Sequence, residues 1–236
     1  MPYVELCFSS LYPSIRPGST TSTSMAVKEK DRGKHDQIIE AAVKVFAKKG
    51  FYNAKVSEIA REANVADGTI YLYFKNKDDI LISLFEEKMQ LWIQRVEDAI
   101  SQVVDPLEKI RAFVSQHLFM IEEHKYLAEV MQIELRQSSK FMRRYVPVKF
   151  LEYLDLIGKI IAEGIEEGAI RQDVIPAIAK RAIFGALDEM LLYWVLAKKP
   201  KYSLEQSVEQ ISHLFIDGLR ARNADSDSTK STQSAV

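Results

Sequence analysis

Apolar positions recur along this chain with a helical period, and nowhere in its 236 residues does the two-residue alternation of a half-buried strand appear. Ile38, Ala42, Val45 and Phe46 stand at i, i+4, i+7 and i+8. That spacing predicts a first helix closed by Gly50 in the left-handed C′ position, with Phe51 packing back onto it. Ile59, Ala60, Ala63 and Val65 then share one face while Glu58, Arg61 and Glu62 take the other, a second helix with Ser57 where an N-cap belongs. Residues 64–68 break the period, and 69–74 open a third helix. Two short helices joined by a tight turn form a helix-turn-helix, whose second helix is the usual reader of the DNA major groove.

Asn76, three residues ahead of Asp79, predicts the start of a fourth helix. Its apolar face runs from Ile80 and Leu81 to Val96 and Ile100, long enough to leave the front module and enter a second domain. Asp105, Pro106 and Glu108 combine an N-cap, a proline at N1 and an acid at N3, and open a fifth helix carrying Phe113, Val114, His117 and Leu118. A sixth covers about 127–137. A seventh carries Phe150, Leu151, Leu154, Ile157 and Ile161 and stops at Gly168. The eighth begins near Pro176, is apolar on more than one face and shows a small-residue stripe of Ala179, Ala182 and Ala186. Ser203 and Gln206 form a capping box for the ninth, with Val208, Ile211, Leu214 and Phe215. The expected fold is all-α with about nine helices. The expected domains are a helix-turn-helix unit at 28–77 and a second helical domain at 78–223. Residues 1–27 read as a disordered or over-extended start, with Met25 as a candidate initiator, and 224–236 as a disordered tail.

Hydrophobic content of 47% and charged content of 28% are those of a globular protein, and the net charge of −1 does not by itself point to nucleic acid. Distribution helps little: residues 25–80 hold 11 Lys and Arg against 9 Asp and Glu. Lys28, Lys30, Arg32 and Lys34 read first as a solvated lead-in and second as an arm for phosphate or the minor groove. A single cysteine, Cys7, excludes an intramolecular disulfide framework and a cysteine-based zinc site. The apolar patch at 3–8 lacks the basic flank of a signal peptide, and no apolar run reaches the ~18 residues of a membrane span, so the expected location is the cytoplasm. His35, His117, His124 and His213 show neither metal-ligand spacing nor a nucleophile arrangement, so no catalytic, metal or cofactor role is expected. Asp188 and Glu189, adjacent in an apolar helix, read as interface or pocket groups.

The segment GTIYLYFKNKDDIL, preceded by VSEIAREANVADG and by a helix ending KKGF, resembles the TetR family of transcriptional regulators over residues 35–85. The resemblance implies a homodimer paired through predicted helices eight and nine, a palindromic double-stranded DNA operator and a small-molecule effector that releases the DNA. The residue types fit such a reader. Gly68 lets the third helix approach a base edge, and Thr69 offers a methyl and a hydroxyl to a base. Tyr71 and Tyr73 add ring faces and hydroxyls within reach of phosphate, beside Lys75. Ser57 is placed for a phosphate at the second helix, and the resemblance makes Lys77 a phosphate contact at the start of the fourth. Asp67 either caps the third helix, the preferred reading, or accepts from a cytosine amine.

The segments VMQIELRQSS, FMRRYVPVKFLEYLDLI and RAIFGALDEMLLYW look like the fatty-acid-degradation (FadR-type) repressors of this family. That resemblance implies long-chain acyl-coenzyme A as effector; a drug or other lipophilic ligand of an efflux or stress regulator is the alternative. An acyl chain needs an apolar tunnel, for which Phe113, Met131, Leu135, Phe150, Leu154, Phe184 and Leu187 are candidates. Coenzyme A phosphates need cations, and Arg136, Lys140, Arg143, Arg144 and Lys149 cluster around the turn between helices six and seven.

Overall fold

The computed structural model describes residues 22–221, with the side chains of 33–221 except Ser139 and Arg144. The expected disorder of 1–21 and 224–236, and the side chains of Lys28, Lys30, Arg32 and Arg144, lie outside the described residues. The chain divides into two units between Asp36 and Gln37. Of the first, only the leading part of the first helix is described.

Ten helices and no strand make up the described residues, nine of the helices with at least seven residues. The first, α1 (Ser22–Lys49), begins well before the expected start. Residues 22–27, read as part of a disordered start, and the charged lead-in after them are helical. Ala, Lys, Glu and Arg are good helix formers, but a stretch polar on all sides offers no apolar stripe to detect. At its end Gly50 adopts φ 77° and donates its N–H to the Phe46 carbonyl at 2.8 Å, while the Phe51 ring packs 5.5 Å from that of Phe46.

Helices α2 (Val56–Glu62) and α3 (Asp67–Tyr73) follow, with Asn64 at φ 53° in the turn between them. Ile59, Ala60, Ile70 and Phe74 are buried with Ile38, Ala42 and Phe46 of α1, which fixes α3 against the other two helices. The cap of α2 lies two residues ahead of the expected Ser57. Lys55 is its N-cap residue, its N–H donating to Glu58 Oε2 at 3.1 Å, so Ser57 sits inside the first turn. Asp67 does not cap α3 either: Ala66 holds that position, and Asp67 lies in the first turn, where its charge opposes the helix dipole favourably.

Helix α4 (Lys77–Ser101) starts at Asn76, whose side chain accepts from the Asp79 N–H at 3.0 Å. It shares buried residues with the front helices through Leu81 and Leu84 and with the rear ones through Trp92 and Val96. Helix α5 (Pro106–Glu123), capped by Asp105 accepting from the Leu107 N–H at 2.8 Å, is the central rod of the rear half. It packs against α4, α8 (Val148–Glu166), α9 (Pro176–Leu196) and α10 (Leu204–Leu219). The last two are the predicted helices eight and nine.

Helix α6 spans 125–137 and is not regular. Residues Val130–Glu134 form a π turn, closed by the Leu135 N–H on the Val130 carbonyl. A further short helix, α7 (Ser139–Arg144), lies where a turn was expected; Ser138 caps it, accepting from the Phe141 N–H at 3.1 Å. A π turn re-aims every side chain after it, and such turns concentrate at functional sites. This one borders the cavity described next and carries a contact from α6 to the α1–α2 loop.

Candidate functional site

Two regions carry candidate chemistry. The first is the outer face of α3. Having spent Ile70 and Phe74 on the core, the helix leaves Tyr71 60% and Leu72 81% exposed, with Gly68 and Lys75 exposed beside them and Thr69 and Tyr73 partly so. Ser57 is exposed in the first turn of α2. A Cβ at Gly68 would meet nothing within 4 Å and its φ is ordinary, so nothing within the described chain requires glycine there. Leu72 was not singled out from sequence: apolar in an apolar run, it reads as core until the helix phase is known.

Lys77 is not placed as the resemblance implies. Its ammonium donates to the carbonyls of Phe51 at 2.5 Å, Tyr52 at 3.0 Å and Ala54 at 3.0 Å, and stands 4.6 Å from the Phe51 ring centroid. Burial lowers its pKa, opposed by the Asp78 carboxylate. The charge therefore binds the start of α4 to the α1–α2 loop, and the loop carbonyls left over at the end of α1 gain a donor.

The second region is a cavity of about 330 Å³ walled by α4 to α9. Of the candidates for the effector site, Met131, Leu135, Arg136, Phe150 and Phe184 line it. Phe113, Leu154 and Leu187 do not. They are buried in the core at 1%, 2% and 0% exposure, Phe113 against the Tyr153 ring at 4.9 Å. Lys140 and Arg143 are not among the lining residues, although Phe141 and Met142 between them are, so of the described cations in the expected phosphate mouth only Arg136 faces the cavity. The polar rim lies elsewhere. Arg136 Nη2 donates to Asp188 Oδ2 at 2.8 Å, Gln132 Nε2 donates to Asp188 Oδ1 at 2.9 Å, and Arg136 Nη1 reaches Gln132 Oε1 at 3.0 Å. Lys88, also on the wall, is ion-paired with Glu40 of α1. Asp188, an acid in an apolar helix, was legible as a pocket group. Lys88, Trp92, Gln132, Phe141, Tyr145 and Tyr153 gave no signal apart from their helical phase.

Deeper in the wall, His117 Nδ1 lies 2.7 Å from the Tyr153 hydroxyl, and Nε2 has no hydrogen-bond partner. Burial pushes the imidazole pKa down to about 4, with Asp188 acting weakly the other way. The unfolded chain therefore binds a proton at His117 below about pH 6.5 that the folded chain refuses until about pH 4. Stability must fall as pH is lowered through this window, by roughly 2 kcal/mol between pH 6.5 and pH 5. Urea titrations at pH 7 and pH 5 are expected to show this loss, and His117→Asn to show a smaller one. Equal losses in the two proteins would mean that His117 is not buried neutral.

The far side of α6 touches the front module. Glu134, 5% exposed, accepts from the Phe51 N–H at 2.5 Å, and its carboxylate lies 3.6 Å from where a Cβ on Gly50 would be. The Tyr52 hydroxyl donates to the Gln137 carbonyl at 2.7 Å, and the Ser138 hydroxyl to Asp78 Oδ1 at 2.7 Å. One short helix thus lines the cavity with Met131, Gln132, Leu135 and Arg136 and holds the α1–α2 loop through the Glu134 carboxylate and the Gln137 carbonyl.

An exposed recognition helix ahead of a helical body with an internal apolar cavity defines a ligand-responsive helix-turn-helix transcriptional regulator. Residues 38–84 match the bacterial regulatory proteins of the tetR family, and 85–218 match the YsiA-like protein C-terminal region of TetR-type chains. The fatty acid metabolism regulator protein of Bacillus subtilis (strain 168) is 42% identical over 188 residues, 80% of this chain and 96% of that protein. The fatty acid degradation regulator FadR from Bacillus halodurans superposes with a TM-score of 0.73 at 42% identity, over 80% of this chain and 97% of its own. FadR from Bacillus subtilis, solved in complex with stearoyl-CoA, gives a TM-score of 0.73 at 41% identity, over 78% and 98%. The chain belongs to the TetR family.

Proposed function

We propose that this protein is a dimeric repressor of fatty-acid-degradation genes that leaves its operator when a long-chain acyl-coenzyme A enters the cavity. The observation that carries the reading is the cavity itself: a wall of Met, Phe, Leu and Trp side chains with charge confined to the Arg136–Asp188 and Lys88 positions. An apolar slot with few polar groups suits a ligand that is a long hydrocarbon ending in an anionic head. The stearoyl-CoA complex of the Bacillus subtilis relative supports the same class. Arg136, with its side chain 46% exposed, is the cation nearest solvent on the rim and the candidate partner for the head.

On the output side, Ser57, Gly68, Thr69, Tyr71, Tyr73 and Lys75 form the DNA face, to which Leu72 is added, for a thymine methyl or a sugar. The N–H groups opening α4, not the Lys77 ammonium, are the phosphate site there. Pairing through α9 and α10 is supported by Ile178 and Leu214, 64% and 72% exposed on those helices. A two-fold dimer presents its two α3 helices to half-sites about one helical turn, ~34–36 Å, apart.

Coupling runs through α6. A ligand that displaces Gln132 and Arg136 from Asp188 moves the helix that carries Glu134, and Glu134 positions the α1–α2 loop on which Lys77 and α4 rest. Lys88 gives a second link, because an anion that takes its ammonium leaves Glu40 of α1 unpaired. Release is then a population shift, limited by the ligand's preference for one state.

Native mass spectrometry of the purified protein is the test. A dimer that retains a mass of acyl-coenzyme A size is expected after incubation with stearoyl-CoA. A monomer at all concentrations contradicts the pairing, and selective retention of a smaller lipophile in place of stearoyl-CoA selects the other effector class.

A further inference from the structure

His117 has one nitrogen committed and the other free, inside a cavity wall that is otherwise mostly hydrocarbon. Its Nδ1 faces the Tyr153 hydroxyl at 2.7 Å, and both residues line the cavity. Two arrangements of the proton are open to the neutral ring. If Nδ1 carried it, the phenol hydrogen and the Nε2 lone pair would both be buried without partners. If Tyr153 donates to Nδ1, only one group is left over, the Nε2–H. Unsatisfied buried groups are costly, so the second arrangement is favoured.

The position of the ring matters as much as its tautomer. The Phe184 ring stands edge-on to it, with centroids 5.8 Å apart, and Asp188 of the rim lies one turn further along α9. His117 is 5% exposed, whereas the side chain of Arg136 is 46% exposed. The imidazole therefore sits beneath the charged rim, where a bound ligand passes from head group to chain. A fatty-acyl thioester has one polar atom that must cross this boundary with the chain, its carbonyl oxygen. The Tyr145 hydroxyl is also unpartnered in the wall but rotates freely. The imidazole is held by Tyr153, and its donor direction is fixed.

We propose that His117 donates its Nε2–H to the carbonyl oxygen of the bound acyl group and makes the pocket select an acyl thioester over an alkyl chain of equal length. The inference rests on the acyl-coenzyme A reading given above. It adds the atom that reads the carbonyl.

The test compares stearoyl-CoA with S-octadecyl-CoA, a thioether with the same head and chain length and a methylene in place of the carbonyl. The wild type is expected to bind the thioester roughly 3- to 10-fold more tightly, the worth of one buried hydrogen bond. His117→Phe is expected to bind the two alike, whatever its affinity for either. Equal binding by the wild type, or an undiminished preference in the variant, overturns the proposal. If neither compound binds the wild type, the effector reading fails and this inference with it. Should the variant not fold, nitrogen-15 NMR of histidine-labelled wild type decides the matter. It should show the Nε2–H tautomer and a shift of that proton with stearoyl-CoA but not with the thioether. An Nδ1–H tautomer, or identical responses to the two ligands, overturns it.

Discussion

Glu134→Ala is expected to leave operator and acyl-coenzyme A binding in place while removing most of the effect of one on the other. In the wild type, a ligand that relieves repression must weaken operator binding by a factor in the range of about 5–150, a coupling of 1–3 kcal/mol. In the variant that factor should fall close to one. The reason is geometric. Glu134 is a buried contact by which α6, a wall of the cavity, grips the backbone at Phe51 beside Gly50. Truncation also strands the Phe51 N–H, so a stability loss of about 2 kcal/mol should accompany the uncoupling. Glu134→Gln, which keeps an acceptor, should lie between the two proteins in both respects. Linkage supplies an internal check: whatever factor the ligand applies to DNA affinity, DNA must apply to ligand affinity. A Glu134→Ala protein that responds to ligand as the wild type does would move the coupling to the Lys88–Glu40 pair.

Lys77→Met carries the second large effect. The substitution keeps the stem and removes the ammonium, so the carbonyls of Phe51, Tyr52 and Ala54 lose their shared donor. A stability loss of about 2 kcal/mol is expected from hydrogen bonds to a charged group in a part-buried site. Operator affinity should fall on the order of tenfold, because α4 no longer holds the loop that supports α2 and α3. The salt dependence of binding separates this from a direct phosphate contact. A lost phosphate contact lowers the slope of log affinity against log salt by about 0.9, whereas a positioning role leaves it unchanged. An unchanged slope is expected, and a slope lower by nearly one would return Lys77 to the phosphate.

Which features were legible in the sequence follows from how local they are. Asn76 before Asp79, Asp105 before Pro106 and Ser203 before Gln206 start helices where they were expected, and Gly50 after Lys49 ends one, each a signal a few residues long. The helix-turn-helix was legible for the same reason. The pocket was only half legible, because helical phase says which residues face inward and not which of those border a void. Phe150 and Leu154 share a face of α8, yet the first lines the cavity and the second fills the core. His117 and Phe113 divide α5 in the same way. The pairing that makes the rim eluded sequence reasoning because it is tertiary: Arg136 and Asp188 were each candidates, but nothing local joins α6 to α9, and Lys140, Arg143 and Lys149, denser in sequence, are not among the lining residues. The π turn in α6 could not be foreseen either. It breaks the period that made the other helices readable, and it sets Glu134 against the front module.

The central claim is that a long-chain acyl-coenzyme A in the cavity controls what α3 can hold. It is tested most directly by fluorescence anisotropy on a duplex that the protein itself selects from random sequence, titrated with stearoyl-CoA and, separately, with coenzyme A. Stearoyl-CoA is expected to weaken DNA binding at least fivefold, and coenzyme A without the chain to leave it unchanged. Undiminished DNA affinity when calorimetry shows the cavity saturated with stearoyl-CoA would contradict the account.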